Sequence, residues 1–269
     1  MGLLRVLKRK GMCVQPFKCG PDYIDGKFHT IAAGRETVNL DTWMASECYV
    51  GEVYYHYAKD ASVCVVEGVM GLFDGYDRPK IALAKDAAFN FIYKENIDVL
   101  SKKADIVTFS PLAGDELPQA DYVYLPGGYP EFFVGELSDN IRLGEQLRSF
   151  AGNGGRIFAE CGGMMYLCRK LVAQDGVSYP MSGVLPLECT LEKMRLHLGY
   201  RAADYRGMRL KGHEFHYSSV VEPDVLPSDV CLYNVKGSAV DTPLYRYKNV
   251  IAGYTHWYWG ENDFFKLWD

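Results

Sequence analysis

The sequence has no stretch of apolar residues long enough to cross a bilayer and no block of like charges. A spanning helix needs about 20 consecutive apolar residues, and nucleic acids and anionic surfaces select clusters of positive charge. The net charge of −5 points in the same direction. We therefore expect neither a nucleic acid nor a membrane among the partners of this protein.

Paired cysteines with the spacing of a zinc knuckle are also lacking, although the chain has eight cysteines. They are scattered, and several lie inside apolar runs, which is not typical of a disulfide-stapled domain. The basic N-terminus is followed by neither an apolar core nor a small-residue cleavage site, so no signal peptide is predicted. These observations predict a cytoplasmic protein with reduced thiols.

The phosphate-binding motif G-x-x-x-x-G-K-[ST] does not occur anywhere in the chain. That motif supplies the backbone N–H groups and the lysine that hold the phosphates of a nucleotide. The pair Gly26-Lys27 is followed by Phe28, and it lacks both the preceding glycine and the following hydroxyl. The sequence therefore contains no complete phosphate cradle of this kind.

What is present is an ordinary globular composition, 48% hydrophobic and 23% charged, in two regions of different character. Before residue 78 we predict helices over 3–10 and 41–59, a short strand over 13–17 and a fully buried strand over 61–66. Beyond it the predicted strands are 80–84, 105–109, 121–125 and 156–160, the predicted helices are 88–102, 140–152 and 162–172, and the pattern becomes β-rich after residue 178. This order predicts one domain over 1–77 and an α/β domain with a largely parallel sheet over 78–269.

One cysteine lies at the junction of a predicted strand and a predicted helix, Cys161 in Ala-Glu-Cys-Gly-Gly. A nucleophile on such a turn needs small neighbours because the backbone is strained, and Ala159 and Gly163 satisfy that need. The helix N-terminus favours the thiolate, and the N–H of Gly162 is placed to stabilise an oxyanion. A cysteine alone is more often an inert buried thiol, so the prediction of a nucleophile rests on the whole turn.

Two other segments complete a possible catalytic set. The strand before Gly127 and Gly128 ends in Pro-Gly-Gly, which exposes backbone N–H groups at the carboxyl edge of the sheet and would supply the second oxyanion donor. His256 lies far downstream and is the candidate base, since such groups meet in space and not in sequence. Alone, His256 would more often be a structural histidine of a strand.

Further motifs carry a resemblance to a known family. They are residues 14–25, 67–75, 86–91, 124–131, 159–167, 197–200 and 212–218. With them the chain resembles the cobyrinic acid a,c-diamide synthase family of cobalamin biosynthesis. The resemblance implies a class I glutamine amidotransferase-like (flavodoxin-like) α/β domain over 78–269. It also implies a partial P-loop NTPase-like (dethiobiotin-synthetase-like) α/β domain over 1–77.

The resemblance also implies a reaction, that of a carbon–nitrogen ligase with glutamine as amido donor. Glutamine is hydrolysed through a thioester on Cys161 with His256 as base, and the ammonia amidates the a and c carboxylates of cobyrinic acid after ATP and Mg²⁺ have activated them. By resemblance, the ATP, magnesium and substrate region includes Lys18, Asp22, Asp25, Glu67 and Asp74, with Glu67 as a magnesium ligand. Likewise by resemblance, Glu214 and His216 shape the glutamine or interdomain pocket.

The chain departs from the family's pattern in three places. The phosphate loop is missing, and the residues after Gly75 pass almost at once into the amidotransferase domain, where the family has a long intervening stretch. Class I enzymes commonly carry a glutamate two residues after the histidine, where this chain has Tyr258, so we predict a Cys161–His256 dyad with its orienting group unidentified.

Several alternatives stay open at this point. The protein could be a glutaminase without its own nucleotide site, a non-catalytic remnant, or the related nickel-tetrapyrrole a,c-diamide synthase. A homo-oligomer is also left open. The pair His213 and His216 does not predict a metal site, because residues three apart on a strand point to opposite faces.

Overall fold

The computed structural model describes residues 1–20, 24–68, 78–221 and 226–269. The chain divides into two compact units, Met1–Asp77 and Arg78–Asp269. Within the described ranges, no helix combines the length and the apolar character that a membrane span requires. The predicted site residues Asp22 and Asp74 lie outside the described residues.

The first unit is built on a parallel three-stranded sheet in the order β2–β1–β3. Its elements are α1 (Gly2–Arg9), β1 (Val14–Cys19), α2 (Ile24–Ala33), β2 (Val38–Leu40), α3 (Glu47–Ala58) and β3 (Val63–Glu67). A small core of Leu4, Val14, Ala32 and Ala33 lies between the first helices and the sheet.

Two predictions for this unit are wrong. The strand predicted as fully buried, β3, is an edge strand, so Val66 is half exposed. The helix predicted from residue 41 begins only at Glu47, because the Asp41 carboxylate accepts the N–H groups of Trp43 and Met44 and forms a turn. The hydroxyl of Ser46 then caps the helix by accepting the N–H of Tyr49.

The second unit contains a ten-stranded mixed sheet and a smaller four-stranded sheet. Its helices are α4 (Lys94–Lys103), α5 (Val134–Asp139), α6 (Ile141–Gly152) and α7 (Gly162–Leu167), with 3₁₀ turns at Pro130–Phe132 and Phe264–Trp268. Its strands are β4 (Lys80–Ala84), β5 (Asp105–Phe109), β6 (Tyr122–Leu125), β7 (Arg156–Glu160), β8 (Lys170–Val172), β9 (Ser178–Pro180), β10 (Glu188–Thr190), β11 (His197–Tyr205), β12 (Met208–His216), β13 (Ser219–Val220), β14 (Ser228–Tyr233), β15 (Ala239–Tyr247), β16 (Val250–Gly253) and β17 (His256–Trp257).

The large sheet has the strand order β17–β12–β11–β14–β15–β16–β7–β6–β4–β5. The strands from β16 to β5 are parallel, as predicted, whereas the strands from β17 to β16 pair antiparallel. The β-rich C-terminal part therefore adds antiparallel strands to the parallel sheet. The central sheet is mixed, and not largely parallel as predicted. Strand β7 is central, with Ile157 and Phe158 packing into cores on opposite faces.

Two predicted helices of this unit are shorter than expected. Helix α4 begins at Lys94 and not at Ala88, because the Asp86 carboxylate accepts the N–H groups of Ala88 and Phe89 in a turn. Helix α7 ends at Leu167, and residues 170–172 form strand β8 between β10 and β9. The apolar run that suggested a long helix is thus divided between a short helix and a buried strand.

Candidate active site

Cys161 occupies a strained turn between β7 and α7, which we call the elbow (residues 160–163). Its φ of 46° and ψ of −107° lie in a region that non-glycine residues rarely adopt. The backbone is held there because the N–H of Cys161 donates to Gly253 O at 2.7 Å and its carbonyl accepts the N–H of Met165 at 3.0 Å. The turn sets the side chain at the carboxyl edge of the parallel strands, as the sequence predicted for a nucleophile.

Glycines bring the elbow against the Pro-Gly-Gly segment. A Cβ on Gly163 would lie 2.1 Å from Leu125 O, and a Cβ on Gly162 would lie 2.7 Å from Pro130 Cδ and 3.0 Å from Gly128 O. Neither position can carry a side chain without moving the backbone opposite. The structure therefore joins the predicted nucleophile to the two predicted oxyanion glycines, Gly127 and Gly128.

The imidazole of His256 packs against the same segment. A Cβ on Gly127 would lie 2.0 Å from His256 Cε1, so only a glycine leaves room for the ring. His213, paired with His256 across β12 and β17, stacks on it with ring centroids 5.0 Å apart, and Phe91 contacts it edge-on at 4.5 Å. Tyr93 in turn shares a hydrogen bond with His213 Nδ1 at 2.6 Å.

The sequence left open which group orients His256, and these rings are the candidates. Phe91 and His213 pack on the imidazole, and Tyr93 contacts both of them. Tyr258, at the position of the usual glutamate, contacts Tyr93 at 5.8 Å between centroids. The Nδ1 atom of His256 is buried and has no hydrogen-bond partner among the described residues. The sequence assigned no orienting role to these residues, although Phe91 and His213 lie in segments that carry the family resemblance.

The resting site pairs a neutral thiol with a neutral imidazole. Burial raises the pKa of the Cys161 thiol well above its usual range, the Glu131 and Glu160 carboxyls raise it further, and the opposing hydrogen bond from Gly162 is too weak to compensate. The hydrogen bond from Gly162 at the helix N-terminus favours the thiolate, as predicted, but burial outweighs it. Burial, followed by the charges of His213 and His216, lowers the pKa of His256 to about 3.

The thiol and the imidazole are not hydrogen-bonded to each other in the described residues. Cys161 Sγ instead donates to Phe215 O at 3.8 Å. The neutral imidazole at pH 7 retains a lone pair that can accept a proton. A neutral thiol next to a neutral imidazole can act as a nucleophile only if its proton is transferred as it attacks.

A first prediction concerns the reactivity of this thiol. We expect alkylation of Cys161 by iodoacetamide to be slow at pH 7 and to accelerate continuously up to pH 10, because only the thiolate reacts and its pKa is raised. Mass spectrometry of the Cys161 peptide measures the rate, with exposed Cys231 in the same digest as a reference for the reagent. A rate that levels off below pH 8 would contradict the raised pKa.

Glu160, the residue before the nucleophile, is a second residue that the sequence did not single out. It is buried, accepts the Tyr124 hydroxyl at 2.9 Å and accepts the backbone N–H of Trp257 at 2.8 Å. It thereby ties the end of β7 to β17, the strand that carries His256. Burial raises its pKa to about 8 against the opposing effect of these two hydrogen bonds.

The buried carboxyl makes stability depend on pH. The folded pKa of about 8 exceeds the value of 4.5 for an unperturbed glutamate, so the folded state holds an extra proton between these two values. We expect the unfolding free energy to fall as pH rises from 5 to 8, by up to about 1.4 kcal/mol per pH unit. In Glu160→Gln this contribution disappears; urea unfolding at several pH values measures the difference. Identical pH dependence in the two proteins would refute the shift.

Glu214 and His216 line a cavity of about 780 Å³ beside β12. Burial opposes ionisation of Glu214, but hydrogen bonds from His216, Thr242 and Arg201 outweigh it and lower its pKa to about 2. Among the described residues, the cavity lining includes neither Cys161 nor His256. The predicted role of Glu214 and His216 in a glutamine pocket therefore stays a prediction.

The first unit brings together three of its predicted residues. The buried Lys18 Nζ lies 3.3 Å from Glu67 Oε2, 3.9 Å from Asp25 Oδ2 and 3.0 Å from Gly68 O. His29 Nε2, to which the sequence assigned nothing, lies 3.0 Å from Glu67 Oε2. Because Glu67 Oε2 is already paired with Lys18 and His29, the predicted role of Glu67 as a magnesium ligand stays a prediction. The sequence supplies no glycine-rich cradle for phosphates.

Comparison with known proteins gives one family and several relatives. The family of CobB/CobQ-like glutamine amidotransferase domains matches residues 80–264. A cobyrinate a,c-diamide synthase of Priestia megaterium is 26% identical over 421 aligned positions, which cover 97% of this chain and 91% of that protein. A hydrogenobyrinate a,c-diamide synthase of Rhodobacter capsulatus is 28% identical over 387 positions, which cover 86% of this chain and 88% of that protein.

The alignment with the Priestia megaterium protein is longer than this chain, as expected if an internal stretch after Gly75 is missing. Since this chain has 269 residues, at least 421 − 269 = 152 aligned positions have no residue of this chain opposite them. The relative therefore contains a substantial amount of sequence, inside the aligned region, that this chain lacks.

Among solved structures, a glutamine amidotransferase of Thermotoga maritima aligns with a TM-score of 0.46 and 14% identity, over 67% of this chain and 76% of that one. The family match covers most of the chain, and the class I glutamine amidotransferase-like α/β fold predicted for its larger region is confirmed. The elbow at Cys161, the Pro-Gly-Gly segment and the strand of His256 all lie inside the matched range. The chain belongs to the family of CobB/CobQ-like glutamine amidotransferase domains.

Proposed function

We propose that this protein is an amidotransferase of cobalamin biosynthesis that hydrolyses glutamine at Cys161 and directs the ammonia to the a and c carboxylates of a cobyrinic acid. The observation that carries the glutaminase part is the strained elbow at Cys161, whose Gly162 lies against Gly128, with the ring of His256 packed on Gly127. The names of the relatives, cobyrinate and hydrogenobyrinate a,c-diamide synthase, support the choice of acceptor.

The proposed glutaminase reaction needs only glutamine, water and side chains and N–H groups of this chain. Cys161 Sγ attacks the amide carbon of glutamine while its proton passes to the neutral imidazole of His256. The N–H groups of Gly162 and of the Gly127-Gly128 segment stabilise the oxyanion. The histidine returns the proton to the departing ammonia, and water hydrolyses the resulting thioester to glutamate and the free thiol.

For the ligase step we propose that Lys18, Asp25 and Glu67 form the part of the nucleotide and acceptor site that this chain retains. ATP with Mg²⁺ would supply the activation that turns a carboxylate into an acyl phosphate, which ammonia then converts to the amide. The buried ammonium of Lys18 and the two carboxylates beside it place charges of both signs in one cluster.

A second candidate function is glutamine hydrolysis without an activation site of its own. It is favoured by the absence of a G-x-x-x-x-G-K-[ST] motif and by the 152 or more aligned positions of the relative that have no counterpart here. In that case the ammonia made at Cys161 would serve an acceptor activated elsewhere.

One experiment separates the two candidates. The purified chain is incubated with glutamine and cobyrinic acid, with and without ATP and Mg²⁺, and both ammonium and the mass of the corrinoid are measured. The ligase proposal expects an ATP-dependent product in which two carboxyls have become amides. The glutaminase proposal expects ammonium release with an unchanged corrinoid and no ATP binding in equilibrium dialysis. Absence of ammonium release under every condition would refute both.

A further inference from the structure

Three side chains with metal-ligating atoms converge on one face of the β11–β12 hairpin. His197 and His216 are directly opposed across the two strands, and Glu214 lies two residues before His216, on the same face of β12. Each residue offers one ligand atom, and these three atoms lie within 4.8 Å of one another. Glu214 and His216 are buried, whereas His197 is partly exposed.

The two ring nitrogens of His216 face different partners, and Nε2 faces the carboxylate of Glu214. Its Nδ1 lies 2.8 Å from Ser218 O, and a carbonyl oxygen can only accept, so Nδ1 carries a hydrogen. The other nitrogen, Nε2, lies 3.2 Å from Glu214 Oε1. These two atoms therefore face each other across a gap that a metal ion could bridge.

The carboxylate is already positioned by two other side chains. Arg201 Nε and Thr242 Oγ1 donate to the same oxygen of Glu214, Oε2, at 2.7 and 2.6 Å. This leaves Oε1 facing the imidazoles of His216 and His197, whose Nδ1 lies 4.0 Å away. An imidazole whose second nitrogen donates to a carbonyl, beside a carboxylate held by hydrogen bonds, is the usual surrounding of a protein metal ligand.

The cavity that these side chains line is acidic. Besides Glu214, its lining contains the carboxylates of Asp229 and Asp241, and neither a lysine nor an arginine occurs in the lining formed by the described residues. Since Arg201 pairs with Glu214 from outside this lining, it is the two aspartates that would attract a cation. Its volume of about 780 Å³ leaves space for water or a further ligand next to an ion.

We propose that His197, Glu214 and His216 form a binding site for a divalent transition metal ion such as Zn²⁺, with an open coordination position toward the cavity. Two imidazoles and one carboxylate are a ligand set that suits such ions and leaves room for a fourth ligand. Phe215, between two of the ligands, directs its carbonyl toward Cys161 Sγ at 3.8 Å. The ion would therefore fix the strand that borders the nucleophile.

The test uses the full chain, stripped with a chelator and titrated with Co²⁺ as a spectroscopic probe and with Zn²⁺ by calorimetry. We expect one ion per chain, visible d–d absorption from Co²⁺, displacement of that absorption by Zn²⁺, and proton release that makes binding weaker at pH 6 than at pH 8. None of these readouts depends on glutaminase activity.

Two variants locate the ion. In His197→Gln, which changes a partly exposed residue, the d–d absorption should be lost; in Thr242→Val, which keeps the side-chain shape, affinity should fall about 10- to 100-fold. His56→Gln, an exposed histidine of the first unit, is the control and should bind as the unaltered chain does. Absence of stoichiometric binding in the unaltered chain, or equal binding in His197→Gln, would overturn the proposal and leave a proton between His216 and Glu214.

Discussion

Replacing Cys161 by serine is expected to lower the rate of glutamine hydrolysis by at least about 10³-fold, because a serine hydroxyl beside this imidazole is a far poorer nucleophile than the thiol. The fold should tolerate the change, since the residue keeps its size in a turn already held by backbone hydrogen bonds. Ammonium release under saturating glutamine measures the effect.

The matched control is Cys231→Ser, the same chemical change at an exposed thiol of the same unit. It should leave hydrolysis within about twofold of the unaltered protein, as most surface substitutions have small effects. If Cys161→Ser releases ammonium as fast as the control variant, Cys161 is not the nucleophile.

Adding one methyl group at Gly127 is expected to lower hydrolysis by about 10²-fold, the scale of the loss when a catalytic group is misplaced by about 1 Å. In Gly127→Ala the new Cβ would lie 2.0 Å from His256 Cε1, so the imidazole must move away from the elbow. The backbone conformation itself would accept an alanine, because the φ angle of Gly127 is not positive.

Gly135→Ala is the appropriate comparison, since a Cβ at Gly135 meets nothing within 4 Å. It lies in helix α5, where alanine is favoured over glycine, so stability should rise slightly and activity should be unchanged. Circular dichroism confirms that both variants fold. Equal activity of the two variants would show that the position of His256 against Gly127 is not required.

The sequence predicted those features that depend on residues close together in the chain. The elbow follows from small residues on either side of Cys161 at a strand-to-helix junction, and the end of β6 follows from the glycines after Leu125. The parallel strands β4 to β7 were likewise marked by short apolar runs. In each case the local sequence alone restricts the backbone enough to determine the element.

Other predictions failed where the tertiary environment decides. The apolar run of β3 suggested burial, but the strand lies at a sheet edge. The residues after Leu167 continue an apolar pattern, yet they pair as β8 with β9 and β10 instead of extending the helix. Periodicity cannot distinguish these outcomes because they depend on which partner strands are available.

The orienting residues of the candidate site could not have been found from local patterns. His213 meets His256 only because β12 and β17 are neighbours, and Tyr93 reaches His213 from a segment 120 positions away in the chain. His197 joins Glu214 through cross-strand pairing, which explains why reasoning about His213 and His216 alone indicated no metal site. Local sequence likewise could not predict that burial outweighs the effect of the helix N-terminus on the Cys161 thiol, since the depth of burial is a property of the folded unit.

The central claim is that Cys161 forms a covalent intermediate with glutamine, and a glutamine analogue with a diazoketone in place of the amide tests it most directly. After incubation and digestion, mass spectrometry should show the analogue attached to Cys161, with loss of nitrogen, in proportion to the loss of glutaminase activity. Cys161→Ser should remain unlabelled, and excess glutamine should protect the unaltered protein. Inactivation with Cys161 unmodified, or with the label on another of the eight cysteines, would contradict the account.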